Sequence, residues 1–535
     1  MQTPELASII AAELSAAGSD TMFGLPGGGN NLEVVGAAEA VGIRFVLAHG
    51  ETAAAIMAAT YGDLTGRPTA CVVTRGPGAT STVNGAAQAL LDRQPCLLLT
   101  DAIAETDRVR VAHQRLSQRA IFSAATKATG SLGVGDPGAT VRQALHIALT
   151  HPAGPVQLDL DPSGASHVEP GRRDETGATD PNVSLERLVE FLEQSRRTVL
   201  VLGMGARYVS DEVRALVEST NVPVLTTYRA KGVVPESWSN NAGLFTGATT
   251  EAATLAAADL ILAIGLDTVE LIPGSWPYPA PVASLSLWSD DSSYFETEAS
   301  AVGDLSPMIK QIQGLLGDEW TDGFGQARRA EGIARLLGGK PSTPVALAPQ
   351  DVVLRARAFA PKNAIATVDS GAHMLVAMPL WDTDEVDGVL ISSGLATMGF
   401  AVPAAIAAAL AKPDRRIVCF VGDGGLGMTL AEVETIARLD LRITIVLFND
   451  SRLSLIAIKS NPAGRGADNA TTYRETDFAL VATGLGLDAV TVRTTTDLDQ
   501  QLELAMATDR PNLIDAVVDP SGYPYILDAI RGKRD

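Results

Sequence analysis

The sequence predicts an α/β protein of three doubly wound, parallel-sheet domains, and three observations carry that reading. Apolar, β-branched runs alternate with helical patterns along the whole chain, the signature of parallel sheets covered on both faces. Two polar stretches rich in Gly, Pro and charge, residues 164–184 and 338–350, divide it into three blocks. At 535 residues, each block is long enough to bury its own core. The expected domains are residues 1–165, 185–337 and 350–535.

In the first block, residues 1–18 read as a capped amphipathic helix carrying glutamates, not as a basic-then-apolar leader. FGLPGGGNN (23–31) is a Gly-rich turn after a short strand. A strand at 45–48 ends in His49-Gly50-Glu51, and an Ala-rich helix follows over 52–63. A strand at 70–73 runs into the turn Thr74-Arg75-Gly76-Pro77-Gly78-Ala79-Thr80. The second block opens with a helix near Leu185, has strands at 198–205, 222–226, 260–264 and 282–287, and closes in a helix reaching about Leu337. In the third, a strand at 417–421 meets Gly422-Asp423-Gly424-Gly425. A helix over 428–439 and a strand over 443–448 ending in Asn449-Asp450 complete a strand–helix–strand unit. Blocks one and three share an outline, a Gly-rich turn after a strand, which permits internal duplication.

The net charge of −21 argues against nucleic acid or an anionic membrane as partner, since both are recognised by basic patches. An anionic ligand must then be held by backbone amides and a metal. Cys71, Cys96 and Cys419 lie in apolar strand-like runs with no Cys-x-x-Cys or Cys/His cluster, as expected of core thiols in a reducing compartment. No apolar run reaches membrane-spanning length. A soluble cytoplasmic protein is expected.

Asp423 and Asp450, 27 positions apart, fall at the carboxyl ends of two strands, where open α/β sheets bind ligands. The glycines from Gly422 to Gly427 let backbone amides approach an anion at a helix start. Two carboxylates beside a phosphate-sized anion suggest Mg²⁺. Glu51, at a strand end or first helical turn, has two readings. It is a carboxylate favoured by the helix N-terminus, or a desolvated acid that can pass a proton. Position alone favours the first.

Glu51 ahead of an Ala-rich helix, then RGPGAT, then SGLATMGFAVPAAIAAALAKP (393–413), then GDGG with Asn-Asp 27 on, resembles one family. It is that of the thiamine-diphosphate enzymes of the acetolactate synthase, pyruvate decarboxylase and benzoylformate decarboxylase group. The resemblance spans essentially the whole chain. It implies a pyrimidine-binding, a central and a diphosphate-binding domain, in that order. It implies that Asp423, Asp450 and the backbone carbonyl of Arg452 ligate Mg²⁺. The metal and the amides around Gly422, Gly424 and Gly425 would hold the cofactor diphosphate, with Gly371-Ala372-His373 and Leu453 close by. Glu51 would bond N1′ of the aminopyrimidine, the Ala396 carbonyl would accept from its 4′-amino group, and Met398 would force the cofactor into a bent shape. Such chemistry needs an acid buried away from cations beside N1′, and packing that holds the 4′-nitrogen against the reacting carbon. His113 and Gln114 would face that carbon. Gly27, Gly28, His113, Gln114, Leu455 and Lys459 would contact substrate. In this family Glu51 of one chain meets the metal loop of another, which implies a homodimer at minimum and a tetramer as the expected assembly.

GLDTVELIPGSW (265–276), without the arginines of the biosynthetic synthases, Lys459 in place of a tryptophan, and Asp rather than Asn at 450 resemble the flavin-independent, catabolic acetolactate synthases. FAD is therefore not expected. Ser81 replaces a usual asparagine and Ser117 a usual acid, and both unsettle the substrate. SNPAGRGADNATTY (460–473), rich in Gly and Asn, has two readings, a mobile lid over the site and an ordinary surface loop. The implied activity is decarboxylation of a 2-keto acid with ligation of the acyl unit to a second carbonyl. Its alternatives are a non-ligating 2-keto-acid decarboxylase, an acyloin or diketone C–C lyase, and, from another class, a non-catalytic cofactor-binding homologue.

Overall fold

In the computed structural model the described residues are 2–171, 185–272, 276–289, 294–339, 347–460 and 468–532. The first sheet contains β1 (Thr21–Leu25), β2 (Arg44–Leu47), β3 (Ala70–Val73), β4 (Cys96–Asp101), β5 (Ala128–Val134), β6 (Pro155–Ala165) and β7 (His167–Pro170). The second contains β8 (Thr198–Leu202), β9 (Val224–Thr226), β10 (Asn241–Leu244), β11 (Leu260–Ile264), β12 (Val282–Ser286) and β13 (Ala299–Val302). The third contains β14 (Ile365–Val368), β15 (Val389–Ile391), β16 (Ile417–Gly422), β17 (Ile443–Asn449), β18 (Asp488–Val492) and β19 (Asn512–Val517).

Their spatial orders are β2-β1-β3-β4-β6-β5-β7, β10-β9-β8-β11-β12-β13 and β15-β14-β16-β17-β19-β18. Counted from its own first strand, the third sheet runs 2-1-3-4-6-5, and so do the first six strands of the first sheet. The shared outline seen in the sequence is thus a shared topology. The central sheet runs 3-2-1-4-5-6, the doubly wound dinucleotide-fold order. All ladders are parallel except β5 with β7. That strand, His167–Pro170, lies in the stretch read from sequence as linker. Its polar residues sit on a sheet edge, where alternating exposure demands little apolarity. The remaining linker residues 172–184 and 340–346 lie outside the described residues.

Contacts divide the chain into two compact units. The first comprises Met1–Thr176, Gly394–Asp414 and Met428–Leu441; the second comprises Gly177–Ser393, Arg415–Gly427 and Arg442–Asp535. The first unit is closed by a core that includes Ile10, Leu14, Val72, Leu97 and Leu158. The helix Glu51–Thr65 is buried from Ala53 through Gly62, and the helix Ala401–Ala411 from Ala401 through Ala409. The two pack on each other within the unit. Cys71, Cys96 and Cys419 are buried free thiols, and burial pushes Cys96 and Cys419 up to about 12. Among the described residues no helix is long and apolar enough to cross a membrane.

In the central sheet β8 leads into Gly203-Met204-Gly205. There the Met204 amide donates to Glu270 Oε2 (2.7 Å), and Thr227 Oγ1 donates to Oε1 (2.6 Å). A carboxylate of the chain itself therefore takes the amide at this glycine turn. Burial raises Glu270 to about 7, against the opposing Thr227 and Met204 hydrogen bonds. A carboxyl raised in the folded state stabilises it fully below the unfolded value near 4.5 and loses that contribution as pH rises through about 7. Glu270→Gln should flatten the dependence of the thermal midpoint on pH across this window. At about 1.4 kcal/mol per pKa unit, the difference is at most about 3 kcal/mol. An unchanged slope would refute the assignment.

Candidate active site

The third sheet delivers its site residues from three neighbouring strand ends. After β14, Gly371 and Ala372 lead to His373, the N-cap residue of the helix Met374–Leu380. After β16, Asp423 opens the helix Asp423–Thr429. After β17 comes the turn Asp450–Ser451–Arg452, with Ser451 in the left-handed region (φ 54°), a strain of about 1–3 kcal/mol that the surrounding hydrogen bonds offset. Asp423 Oδ1 accepts the Gly424 amide (2.6 Å), and its Oδ2 accepts the amides of Asp450 (3.2 Å) and Arg452 (3.3 Å). Asp450 Oδ1 accepts the Arg452 amide (3.1 Å) and Oδ2 the Ser454 hydroxyl (2.5 Å). Burial raises both carboxyls. Asp450 reaches about 6, with the Asp423 charge adding to burial against the Ser454 hydrogen bond.

Two neighbouring acids, Asp423 buried and Asp450 half-buried, with the Asp423 charge raising Asp450, form an arrangement a divalent cation relieves. Among the described residues no group of three or more His, Cys, Asp or Glu side chains is placed to hold a metal. An ion here must complete its shell with carbonyl and phosphate oxygens, which is the habit of Mg²⁺. The His373 ring supports the same ligand. It stacks on Phe448 with centroids 5.4 Å apart, burial lowers it to about 4, and its buried Nε2 has no hydrogen-bond partner. A Cβ at Gly422 would stand 3.2 Å from the ring, and one at Gly425 would overlap Asp369 Oδ2, so this cradle closes around glycine. The residues present fit a diphosphate with its Mg²⁺.

Leu453, Leu455 and Lys459 follow in the same unit. The Leu453 amide donates to the Thr471 carbonyl (2.7 Å), and the Tyr473 amide to the Ser451 carbonyl (2.7 Å). The end of the expected lid is thereby tied to the turn that follows β17; residues 461–467 lie outside the described residues. Leu455 and Lys459 share one face of the helix Ser454–Ser460; Leu455 packs on the third-sheet core and Lys459 is exposed.

The remaining site residues fall in the first unit. Glu51 is the first residue of its helix, after the N-cap Gly50, and is half-buried rather than enclosed in apolar surroundings as expected. A Cβ at Gly78 would lie 3.3 Å from Glu51 Oε1. The turn before it is clamped by a residue the sequence reading missed. Buried Glu432 accepts the amides of His49 (2.9 Å) and Gly50 (3.0 Å), while His49 Nε2 meets Glu434 at 2.7 Å. Gln114, half-buried, takes a left-handed conformation (φ 58°), and His113 is exposed. Gly27 approaches the Thr74 side chain, and Gly28 has open space around it. Exposed Ala396 is also left-handed (φ 52°), which turns its carbonyl out of the run of its neighbours. The segment carrying Ala396 and half-buried Met398 is pinned by Asp92 Oδ1, which accepts the Gly394 amide (2.6 Å). Asn84 also donates to Thr397 Oγ1 (3.1 Å).

Three family models match the chain. They are the thiamine pyrophosphate enzyme N-terminal TPP binding domain over residues 4–121, the central domain over 185–312, and the C-terminal TPP binding domain over 369–516. Curated relatives align over nearly the full length. The acetolactate synthase large subunit of Parasynechococcus marenigrum is 29% identical over 97% of this chain and 88% of its own. That of Corynebacterium glutamicum is 28% identical over 97% and 88%. The acetolactate synthase isozyme 2 large subunit of Escherichia coli is 26% identical over 95% and 94%. With the three domains in order, three parallel sheets, and a glycine cradle beside paired aspartates, the chain belongs to the thiamine-diphosphate-dependent enzymes, in the acetolactate-synthase-like superfamily.

Proposed function

We propose that the enzyme decarboxylates a 2-keto acid and ligates the acyl unit to a second carbonyl, using thiamine diphosphate and Mg²⁺ without FAD, as a cytoplasmic homo-oligomer of at least two chains. The observation that carries this reading is the pair of carboxylates, buried Asp423 and half-buried Asp450, on adjacent strand ends together with the buried, unpartnered Nε2 of His373. When bound, the cofactor supplies an electron sink for carbon–carbon bond cleavage and formation. The chain's own residues have the other tasks. Asp423, Asp450 and the Arg452 carbonyl hold the metal. The amides around Gly422, Gly424 and Gly425, with Gly371, Ala372, His373 and Leu453, hold the diphosphate. Glu51 holds a proton at the pyrimidine N1′, and the Ala396 carbonyl orients the 4′-amino group. Met398 supports the bent conformation from below. Gln114 and His113 orient and protonate the reacting centre, while Gly27, Gly28, Leu455 and Lys459 bound the acceptor space.

Names of the relatives favour ligation. The deciding experiment incubates the protein with thiamine diphosphate, Mg²⁺ and a panel of 2-keto acids, following CO₂ and the coupled product. CO₂ with a hydroxy-keto acid product is expected. CO₂ with only an aldehyde would replace ligation by simple decarboxylation. No CO₂ across the panel would shift the reading to cleavage of acyloins or diketones.

A further inference from the structure

The first unit carries a cavity of about 350 Å³ beside the turns that follow β3 and β4, lined by Arg75, Arg108, Arg115, Arg119, Gln114 and Gln118. Four guanidinium groups around one opening stand out in a chain of net charge −21. Their internal partners are incomplete. Arg75 Nη1 lies 3.3 Å from Asp101, while its Nε is buried without a hydrogen bond. Arg108 meets Glu105 at 3.0 Å and Asp161 at 3.8 Å, while Arg119 lies 2.6 Å from His167 Nε2 and 4.0 Å from Asp159, which also lines the cavity. Asp159 Oδ1 is already engaged by Gln118 (2.7 Å) and Thr100 (2.9 Å). Arg115 donates to the Arg108 carbonyl (2.5 Å), and among the described residues no carboxylate lies within ion-pair distance of it.

The turn Gly76–Gly78 runs from the cavity wall toward Glu51 within the first unit. A Cβ at Gly76 would lie 2.9 Å from the Cβ of Gln114, and two residues on, one at Gly78 would lie 3.3 Å from Glu51 Oε1. On the other side, the Gly-rich turn reaches the same wall, since Asn30 Nδ2 donates to Asp101 Oδ1 (2.9 Å). Glu51, Gln114 and the arginines thus follow one another within a single unit.

We propose that this cavity takes a second anionic group, a carboxylate, sulfonate or phosphate at the far end of the 2-keto acid, so that the preferred substrate is a dianion. This rests on the site reading given under Proposed function. Guanidinium forks match such oxyanions two bonds at a time and are weakly hydrated, so this cluster, half-buried at Arg75, Arg108 and Arg119 and exposed at Arg115, selects for the group. Binding the non-reacting end there would also orient the reacting carbonyl.

The test compares kcat and KM of the holoenzyme for 2-oxoglutarate and pyruvate, with sulfonate and phosphonate analogues of equal length distinguishing the anion. Arg115→Met and Arg119→Met should each lower kcat/KM for the favoured dianion, relative to pyruvate, about 10-fold or more. The loss should lie mainly in KM, and Arg115→Lys should recover part of it. A wild type that prefers pyruvate, or variants that slow both substrates equally, would overturn the proposal. Calorimetric titration of the same dianions into the holoenzyme separates this inference from the one beneath it. Dianion binding lost in Arg115→Met, without CO₂ from any keto acid, would keep the anion site and remove the decarboxylase reading. No binding of any dianion would remove the anion site whatever the turnover.

Discussion

Glu51→Gln is expected to lower turnover on the best 2-keto acid by two to four orders of magnitude, the usual worth of a positioned acid–base group. The substitution is isosteric at the first residue of the helix Glu51–Thr65, so the backbone and the approach of Gly78 are preserved. What disappears is the ability to hold a proton at N1′. The structural cost is confined to the lost interaction of a carboxylate with the helix N-terminus, about 0.3–1 kcal/mol. A melting temperature within a few degrees of wild type together with near-complete loss of CO₂ release would therefore assign Glu51 to chemistry. A variant retaining more than a tenth of wild-type turnover would exclude it.

The second large effect is expected at Asp423. Its two oxygens gather the amides of Gly424, Asp450 and Arg452, so it shapes the loop as well as offering a metal ligand. Asp423→Asn keeps one acceptor oxygen and removes the charge. Loss of an outer partner typically costs 10–100-fold in metal affinity. Loss of a direct ligand should cost at least about 100-fold in Mg²⁺ affinity and release thiamine diphosphate on gel filtration. Titrating Mg²⁺ against retained cofactor measures both. If the variant holds metal and cofactor as the wild type does, the ion lies elsewhere.

Much of this architecture was legible because glycine turns after apolar runs are local signals. Strands 70–73 and 260–264 fall where the sequence put them, while the strand read over 198–205 ends at Leu202, ahead of the turn Gly203-Met204-Gly205. So does Asp423 at the end of β16. The helix expected over 428–439 is instead two pieces, Asp423–Thr429 and Glu432–Arg438, because the first begins at the aspartate itself and the chain turns between them. Glu432 was illegible for a different reason. Its partners His49 and Gly50 lie more than 380 positions away, and no spacing within its own helix announces a buried acceptor. His373 was readable only as part of a loop, since its stacking on Phe448 and its orphaned Nε2 exist only once β14 and β17 frame the same cradle. Arg108, Arg115 and Arg119 fall within residues 108–119, but Arg75 comes from the turn after β3, and only the fold brings the four to one opening.

The helix Glu51–Thr65 connects the second and third strands of the first sheet, and Ala401–Ala411 connects the second and third strands of the third sheet. They are counterparts in two instances of one topology, and they pack against each other as helices rich in alanine. Neither surface has slack: a methylene gained on one must be matched by an atom surrendered on the other. A change of side-chain size on either helix must therefore be answered on the other, which ties the first block of the chain to the third along this seam.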